Sequence, residues 1–368
     1  MTNLAIAHAR LRNSRLIGEP LASTADVVGW FGAVQSQDTL GALWAVAQRM
    51  APGATMADVG GSLDSAEIVR THAMRPTWHF LAPGDLRWIQ RLTGGRVHQA
   101  TGTMYRRLGL GDAAFALAED VFRDELAGGR WRTRDELAAV LADRGLDVSN
   151  SLVTTHLAMH AELELVICNG PRRERQQTYG LVDERVLPEV GAPPSRHEAL
   201  RELVIRYFRS HGPALVRDMS WWSGLTVGDV RRGIALAGDR LETRTLDGKE
   251  YWSATGAFDP TPDVIPDPFV RLVSNYDEYL GSYTDYSPVF DPALPKARNV
   301  GDVLGAHIVV RDGLVVGGWR RAIGPKLATV TVTLLVPLTP ADIEALELET
   351  AAFGRFLGLP AELRVAQG

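Results

Sequence analysis

The chain has 368 residues, 45% hydrophobic and 23% charged, with a net charge of −5. That length exceeds one typical core, so two or three compact units are expected. The acidic balance argues against indiscriminate nucleic-acid binding, and the single cysteine, Cys168, excludes an intrachain disulfide or a cysteine-based zinc site.

No apolar run approaches a membrane span; residues 334–338 have the length of a buried strand. Residues 1–5 lack a basic segment leading into an apolar core, so no signal peptide is expected and a reducing cytoplasm fits best. Ser23-Thr24 is a capping signal for a helix over residues 26–34, followed by Gln35-Ser36-Gln37-Asp38. On a helix the two glutamines would lie about 200° apart, whereas in an extended segment they share a face. If the helix stops near Val34, they form a paired amide site with two carbonyl acceptors and two NH₂ donors. A plain polar loop is the simpler alternative. Residues 42–50 then fit a helix, 68–72 and 77–81 two short strands, and 85–92 a helix opened by Pro83-Gly84-Asp85.

The pattern over residues 112–181 is clearer. Helices are expected at 112–125, from Thr133, and from Ser149 or Asn150 to about Glu162, with strands at 163–168 and 179–181 around the turn Asn169-Gly170-Pro171. Three helices and a hairpin make a winged helix-turn-helix arrangement. After a linker at 191–195 the order repeats, with helices at 197–210, 214–223 and 226–237. A hairpin closes this unit, 241–246 and Tyr251-Trp252 around Asp247-Gly248, a dipeptide that supplies the positive φ of a tight turn. Residues 21–92 fit a more divergent third copy. From Pro260 the chain turns Pro-rich, then shows an Asp312-Gly313 hairpin between strands 308–311 and 314–319, a strand at 328–336, and a helix from Thr339 to about Leu357, ended by Gly358. The expected fold is a helix-rich α+β chain: winged-helix units at 1–100, 101–190 and 196–256, and a β-rich region with a final helix at 260–368.

Charge is uneven along this frame. Arg172, Arg173 and Arg175 form one basic cluster and Arg320, Arg321 and Lys326 another, while residues 341–362 are acidic. A polyanion can therefore be bound on one face. The third helices of the repeated units occupy the recognition position; Arg231 and Arg232 suit it, as do Asn150, Thr154, Thr155 and His156. Winged helices also serve as packing modules. His156 and His160 stand one helical turn apart, but Leu157 occupies the place of the zincin glutamate, so no metal is expected. No Ser/His/Asp pattern, P-loop or dinucleotide fingerprint appears. Asn275-Tyr276-Asp277-Glu278-Tyr279 and Tyr283-Thr284-Asp285-Tyr286 fit an acid/base cluster, a base-stacking surface or a hydrogen-bonded structural loop.

Four segments together carry a resemblance: Gln35-Ser36-Gln37, Arg75-Pro76-Thr77-Trp78-His79-Phe80, Tyr276-Asp277-Glu278-Tyr279-Leu280-Gly281 and Val315-Val316-Gly317-Gly318-Trp319-Arg320. They resemble the AlkZ/YcaQ-like family of bacterial DNA glycosylases, over residues 21–357. The AlkZ branch has Gln-x-Gln where the YcaQ branch has Gln-x-Asp; this chain has glutamine at both places, and Asp38 lies one position off. The resemblance implies tandem winged helices in a C shape around a basic channel. It also implies excision of N-alkylated purines, unhooking of interstrand crosslinks, and self-resistance to an alkylating natural product.

Physical chemistry supports a site without a carboxylate. Cleaving an N-glycosidic bond usually requires one to support the sugar cation or activate water. N7-alkylguanine is already cationic and departs as a neutral base, so placing a water at C1′ suffices. Gln35 and Gln37 are the expected catalytic residues, with Gln37 orienting the water and Gln35 fixing it or the substrate. No cofactor and no lysine lyase step are expected. His72, Arg75, Arg172, Arg173, Arg175, Arg320 and Arg321 are the expected DNA contacts, on double-stranded DNA bearing alkylated or crosslinked purines. A cytoplasmic monomer, at the nucleoid when bound, completes the expectation. The rivals are a winged-helix transcriptional regulator without catalysis and a metal-dependent hydrolase using His156 and His160.

Overall fold

Local capping sets many of the helix boundaries in the computed structural model, which describes residues 3–174, 176–189, 191–258, 266–291 and 307–367. After an N-terminal helix α1 (Asn3–Asn13), the Ser23 side chain accepts the Asp26 N–H and starts α2 (Thr24–Phe31). Gly32, at φ +87°, ends it in a conformation that L side chains rarely adopt. The chain then extends as β1 (Val34–Gln35), followed by α3 (Thr39–Ala47) and α4 (Met56–Asp64). Strands β2 (Val69–Ala73) and β3 (Arg75–Leu81) complete an antiparallel sheet in the order β1-β3-β2, with Gln35 opposite His79.

Helix α5 (Pro83–Arg107) is far longer than the eight residues the sequence marks out. Leu86, Trp88, Ile89 and Leu92 join a core shared with β2 and residues 199–241, while Val97 and Tyr105 join the core of the next unit. Burial at both ends outweighs the cost of Gly94 and Gly95, about 1 kcal/mol each. The helix therefore runs unbroken through residue 100, where the sequence reading separates two units.

That next unit contains α6 (Asp112–Leu126), β4 (Arg132–Thr133), α7 (Arg134–Asp143), α8 (Ser151–Leu163), β5 (Ile167–Asn169) and β6 (Thr178–Leu181), with sheet order β4-β6-β5. Reciprocal Thr133 and Glu136 capping starts α7, and Asn150 caps α8. A short α9 (Val182–Arg185) precedes α10 (Arg196–Ser210), α11 (Val216–Ser223) and α12 (Val227–Ala237), then the hairpin β7 (Leu241–Leu246) and β8 (Lys249–Ala254). Asp247 and Gly248 both take positive φ at its turn, as the dipeptide predicts.

The last region is a five-stranded sheet, β13-β12-β11-β10-β9. Its strands are β9 (Val270–Val273), β10 (His307–Arg311), β11 (Leu314–Ile323), β12 (Ala328–Leu334) and β13 (Ala361–Gln367). The short helix α13 (Glu278–Gly281) follows β9, and α14 (Pro340–Leu357) links β12 to the parallel β13. α1, α4, β9 and β13 went unmarked in the sequence. α2–α4 pack against this sheet and α14 in one core, and α1 packs on the sheet in another. The Pro260 turns and Arg175 lie outside the described residues. Among the described residues, no helix is long and apolar enough to cross a membrane.

Candidate active site

Gln35 is held from three directions. Pairing with β3 keeps it extended, and the following Ser36 N–H donates to the Trp78 carbonyl at 2.7 Å. Its own backbone N–H donates to Glu278 Oε1 at 2.8 Å. Its side-chain Oε1 accepts from the Arg75 guanidinium at 2.7 Å. Because arginine only donates, this bond fixes which end of the amide faces Arg75 and leaves the NH₂ as the outward group. Gln35 is 7% exposed. It lines a cavity of about 630 Å³ with Arg75, Trp221, Asn275, Tyr276 and Tyr286. Gln37 is exposed, lies outside that lining, and accepts the Trp78 N–H at a long 3.4 Å.

Glu278, the first residue of α13, anchors this arrangement from behind. Its Oε2 accepts from His211 Nε2 at 3.0 Å, Trp222 Nε1 at 2.9 Å and the Ser282 hydroxyl. Burial alone would raise its pKa, but the His211 contact, Ser282 and the Gln35 N–H outweigh burial and bring it down to about 2. Asp277 beside it chelates Arg49 with both oxygens, at 2.9 and 2.8 Å. These two carboxylates are interior scaffolding, whereas Tyr276, at φ +65°, stands on the cavity wall.

Trp221 and Trp222 divide between surface and core, as adjacent positions on a helix must. Trp222 is buried, while Trp221 is 51% exposed with the Arg75 guanidinium 5.2 Å from its ring. Gly224 closes the same wall: a Cβ there would come within 2.2 Å of the Met74 carbonyl oxygen.

The expected DNA cations separate into different groups. His72 is a correction: it is buried against the Glu162 carboxylate and packed on Trp78, because β2 is covered by α8. It presents no surface charge. Arg172 forms a two-oxygen pair with Asp64, Arg173 reaches Glu136 at 2.7 Å, and Arg321 holds both Asp38 oxygens at 2.7 Å. Asp38 is thus committed to an ion pair. Arg320 is exposed and, among the described residues, makes no ion pair.

A family model described as DNA glycosylase AlkZ-like matches residues 28–356. The chain belongs to the AlkZ-like DNA glycosylase family. It is 26% identical over 365 residues to an interstrand DNA cross-link repair glycosylase of Streptomyces sahachiroi, covering 92% of this chain and 91% of that one. The solved Streptomyces sahachiroi DNA glycosylase AlkZ matches it with a TM-score of 0.79 at 24% identity, each chain covered in full. The AlkZ-like fold is therefore the helix-rich α+β architecture described above.

Within the Arg75–Phe80 segment, one residue to which sequence reasoning assigned no role of its own sets an acid limit. His79, opposite Gln35, is fully buried; burial and then the Arg75 charge pull its pKa down to about 3. Folded protein keeps this imidazole neutral while unfolded chain protonates it below about pH 6.5, so its contribution is complete above that pH and declines toward pH 3. Glu278 behaves differently: its stabilisation is complete above its ordinary range and fades only as pH falls toward 2. Denaturant unfolding at pH 7 and pH 5 is expected to show a loss approaching about 1.4 kcal/mol per pH unit from His79, and a shallower slope in His79→Gln. Equal slopes in both proteins would refute the assignment.

Proposed function

We propose that the protein is a monofunctional glycosylase that hydrolyses the N-glycosidic bond of cationic N7-alkylpurines and unhooks N7-linked interstrand crosslinks, in self-resistance to an alkylating natural product. The observation that carries this reading is Gln35, an uncharged amide fixed by Arg75 at the wall of an open cavity, within the Gln-x-Gln motif. Its partner assigns it the donor role, toward the water oxygen or the substrate. Gln37, exposed and loosely held, can turn its oxygen toward the same water and orient the attack at C1′. An amide is a poor base, so ordinary purines are spared while labile cationic lesions react. No protein nucleophile is needed, hence no lyase step, and no metal enters the reaction.

The units at 1–100, 101–190 and 196–256 serve in this reading as winged helices, arranged with the 260–368 region in a C around a basic channel that admits a bulky lesion without the snug pocket of a typical base-flipping enzyme. The enzyme acts as a monomer in the cytoplasm. Arg75 faces the lesion, Arg320 contacts phosphate, and Arg172, Arg173 and Arg321 reach phosphate only alongside their acidic partners.

The test is duplex DNA carrying N7-methylguanine, and a second duplex with an N7-linked crosslink, incubated with the protein in EDTA. Free base and abasic sites above the spontaneous rate are expected, with strand scission only after alkali. Binding should weaken with salt at a log–log slope of about −0.9 per neutralised phosphate, and Arg320→Ala should reduce that slope by about one phosphate. No release from either duplex would overturn the catalytic reading and favour a winged-helix regulator.

A further inference from the structure

We propose that His98, His160 and Glu164 form a binding site for a zinc-class divalent cation that clasps α5 to α8. His160 and Glu164 stand one turn apart where α8 ends, and His98 reaches them from the second half of α5. One ligand atom from each lies within 4.8 Å of the others. His98 Nε2 already sits 2.9 Å from Glu164 Oε1, and the two imidazole centroids are 4.8 Å apart. Ligands about 2.0–2.2 Å from a tetrahedral zinc stand about 3.4 Å from one another, so the short His98–Glu164 edge opens slightly while the longer edges close.

The surroundings orient the ligands as metal sites do. The Tyr105 hydroxyl lies 3.3 Å from His98 Nδ1, which leaves Nε2 for the cation. Glu119 Oε1 lies 3.5 Å from His160 Nδ1, a buried nitrogen that has no hydrogen-bond partner among the described residues. Phe115 stacks flat on His160 at 3.8 Å and sets its plane. An ordinary His98–Glu164 ion pair would account for two of the three residues. It does not account for His160, whose ring is stacked on Phe115 and stands 4.8 Å from that of His98. The exposed side of Glu164 leaves room for a water as fourth ligand.

The sequence suggests a different pair, His156 with His160. In the structure His156 Nδ1 instead bonds the Leu152 carbonyl, one turn back. None of the three proposed ligands lines the Gln35 cavity, so the cation holds two helices together and takes no part in base release.

The test uses the full chain, stripped with EDTA and titrated calorimetrically with zinc chloride, with cobalt(II) absorption as a second readout. One equivalent should bind with micromolar or tighter affinity, raise the unfolding temperature, and give the intense visible bands of tetrahedral cobalt. His98→Ala and Glu164→Gln, both on accessible side chains, should each weaken binding about tenfold or more and abolish the thermal gain. His156→Ala should bind like the parent chain. Absence of saturable binding, or parent-like binding in both His98→Ala and Glu164→Gln, would overturn the site whatever reaction the protein performs.

Discussion

Alanine at Gln37 is expected to slow base release from N7-methylguanine by about a hundredfold, in the range found when one oriented polar group is removed from a reacting centre. The loss should fall on the single-turnover rate and leave duplex affinity nearly unchanged, because in the proposed reaction the amide acts on water instead of the DNA backbone. Gln37 is exposed, so its removal should leave the unfolding temperature in place. Gln35→Ala should lose as much rate and add a structural penalty. Its Oε1 is the acceptor for the largely buried Arg75, and leaving such a donor unpaired costs about 1–3 kcal/mol. The two variants therefore separate by stability while resembling each other in rate. Parent-like release by both would remove the glutamines from the mechanism.

The second large effect belongs to Glu278. Glu278→Gln keeps the shape but replaces one oxygen with an NH₂ in a site where His211, Trp222, Ser282 and the Gln35 N–H already approach. Breaking such a buried, charge-assisted network costs about 3–5 kcal/mol, seen as a large fall in unfolding temperature. Glu278 does not line the cavity, so in the proposed reaction it acts through the Gln35 backbone, as a positioning residue. Single-turnover rates measured well below the unfolding transition should still drop at least tenfold, with DNA affinity retained. Glu278→Asp, which keeps the charge, should recover part of both losses. A folded Glu278→Gln protein that reacts at the parent rate would show that the carboxylate supports only the fold.

How much of this was legible beforehand follows physical range. Ser23, Thr133, Asn150, Thr226 and Thr339 all cap the helices their sequence positions mark, because capping is decided within about three residues. The Asp247-Gly248 and Asp312-Gly313 turns are equally local. By contrast, α5 is extended by two cores that only the folded chain brings to it, and β13 exists because β12 offers it a parallel edge. At the site, the Gln-x-Gln pair was legible as a motif. Its supports were not, since Glu278 lies 243 residues from Gln35 in sequence. The cation assignments show the same limit: arginine clusters are visible, but Asp64 opposite Arg172 and Asp38 opposite Arg321 appear only in three dimensions.

Helix α5 also bears on how a lesion can be reached. Its 25 residues make a strut of about 37 Å, seated at one end beside the first sheet and at the other within the α6–α8 core. With no break between those seats, α5 itself offers no hinge between the two regions. In the proposed reading, bringing an adduct to Gln35 then places deformation on the duplex, in bending and local unstacking, more than on a hinge within α5. Lesions that already weaken stacking would lower that deformation energy, giving discrimination before any atom of the damaged base is touched.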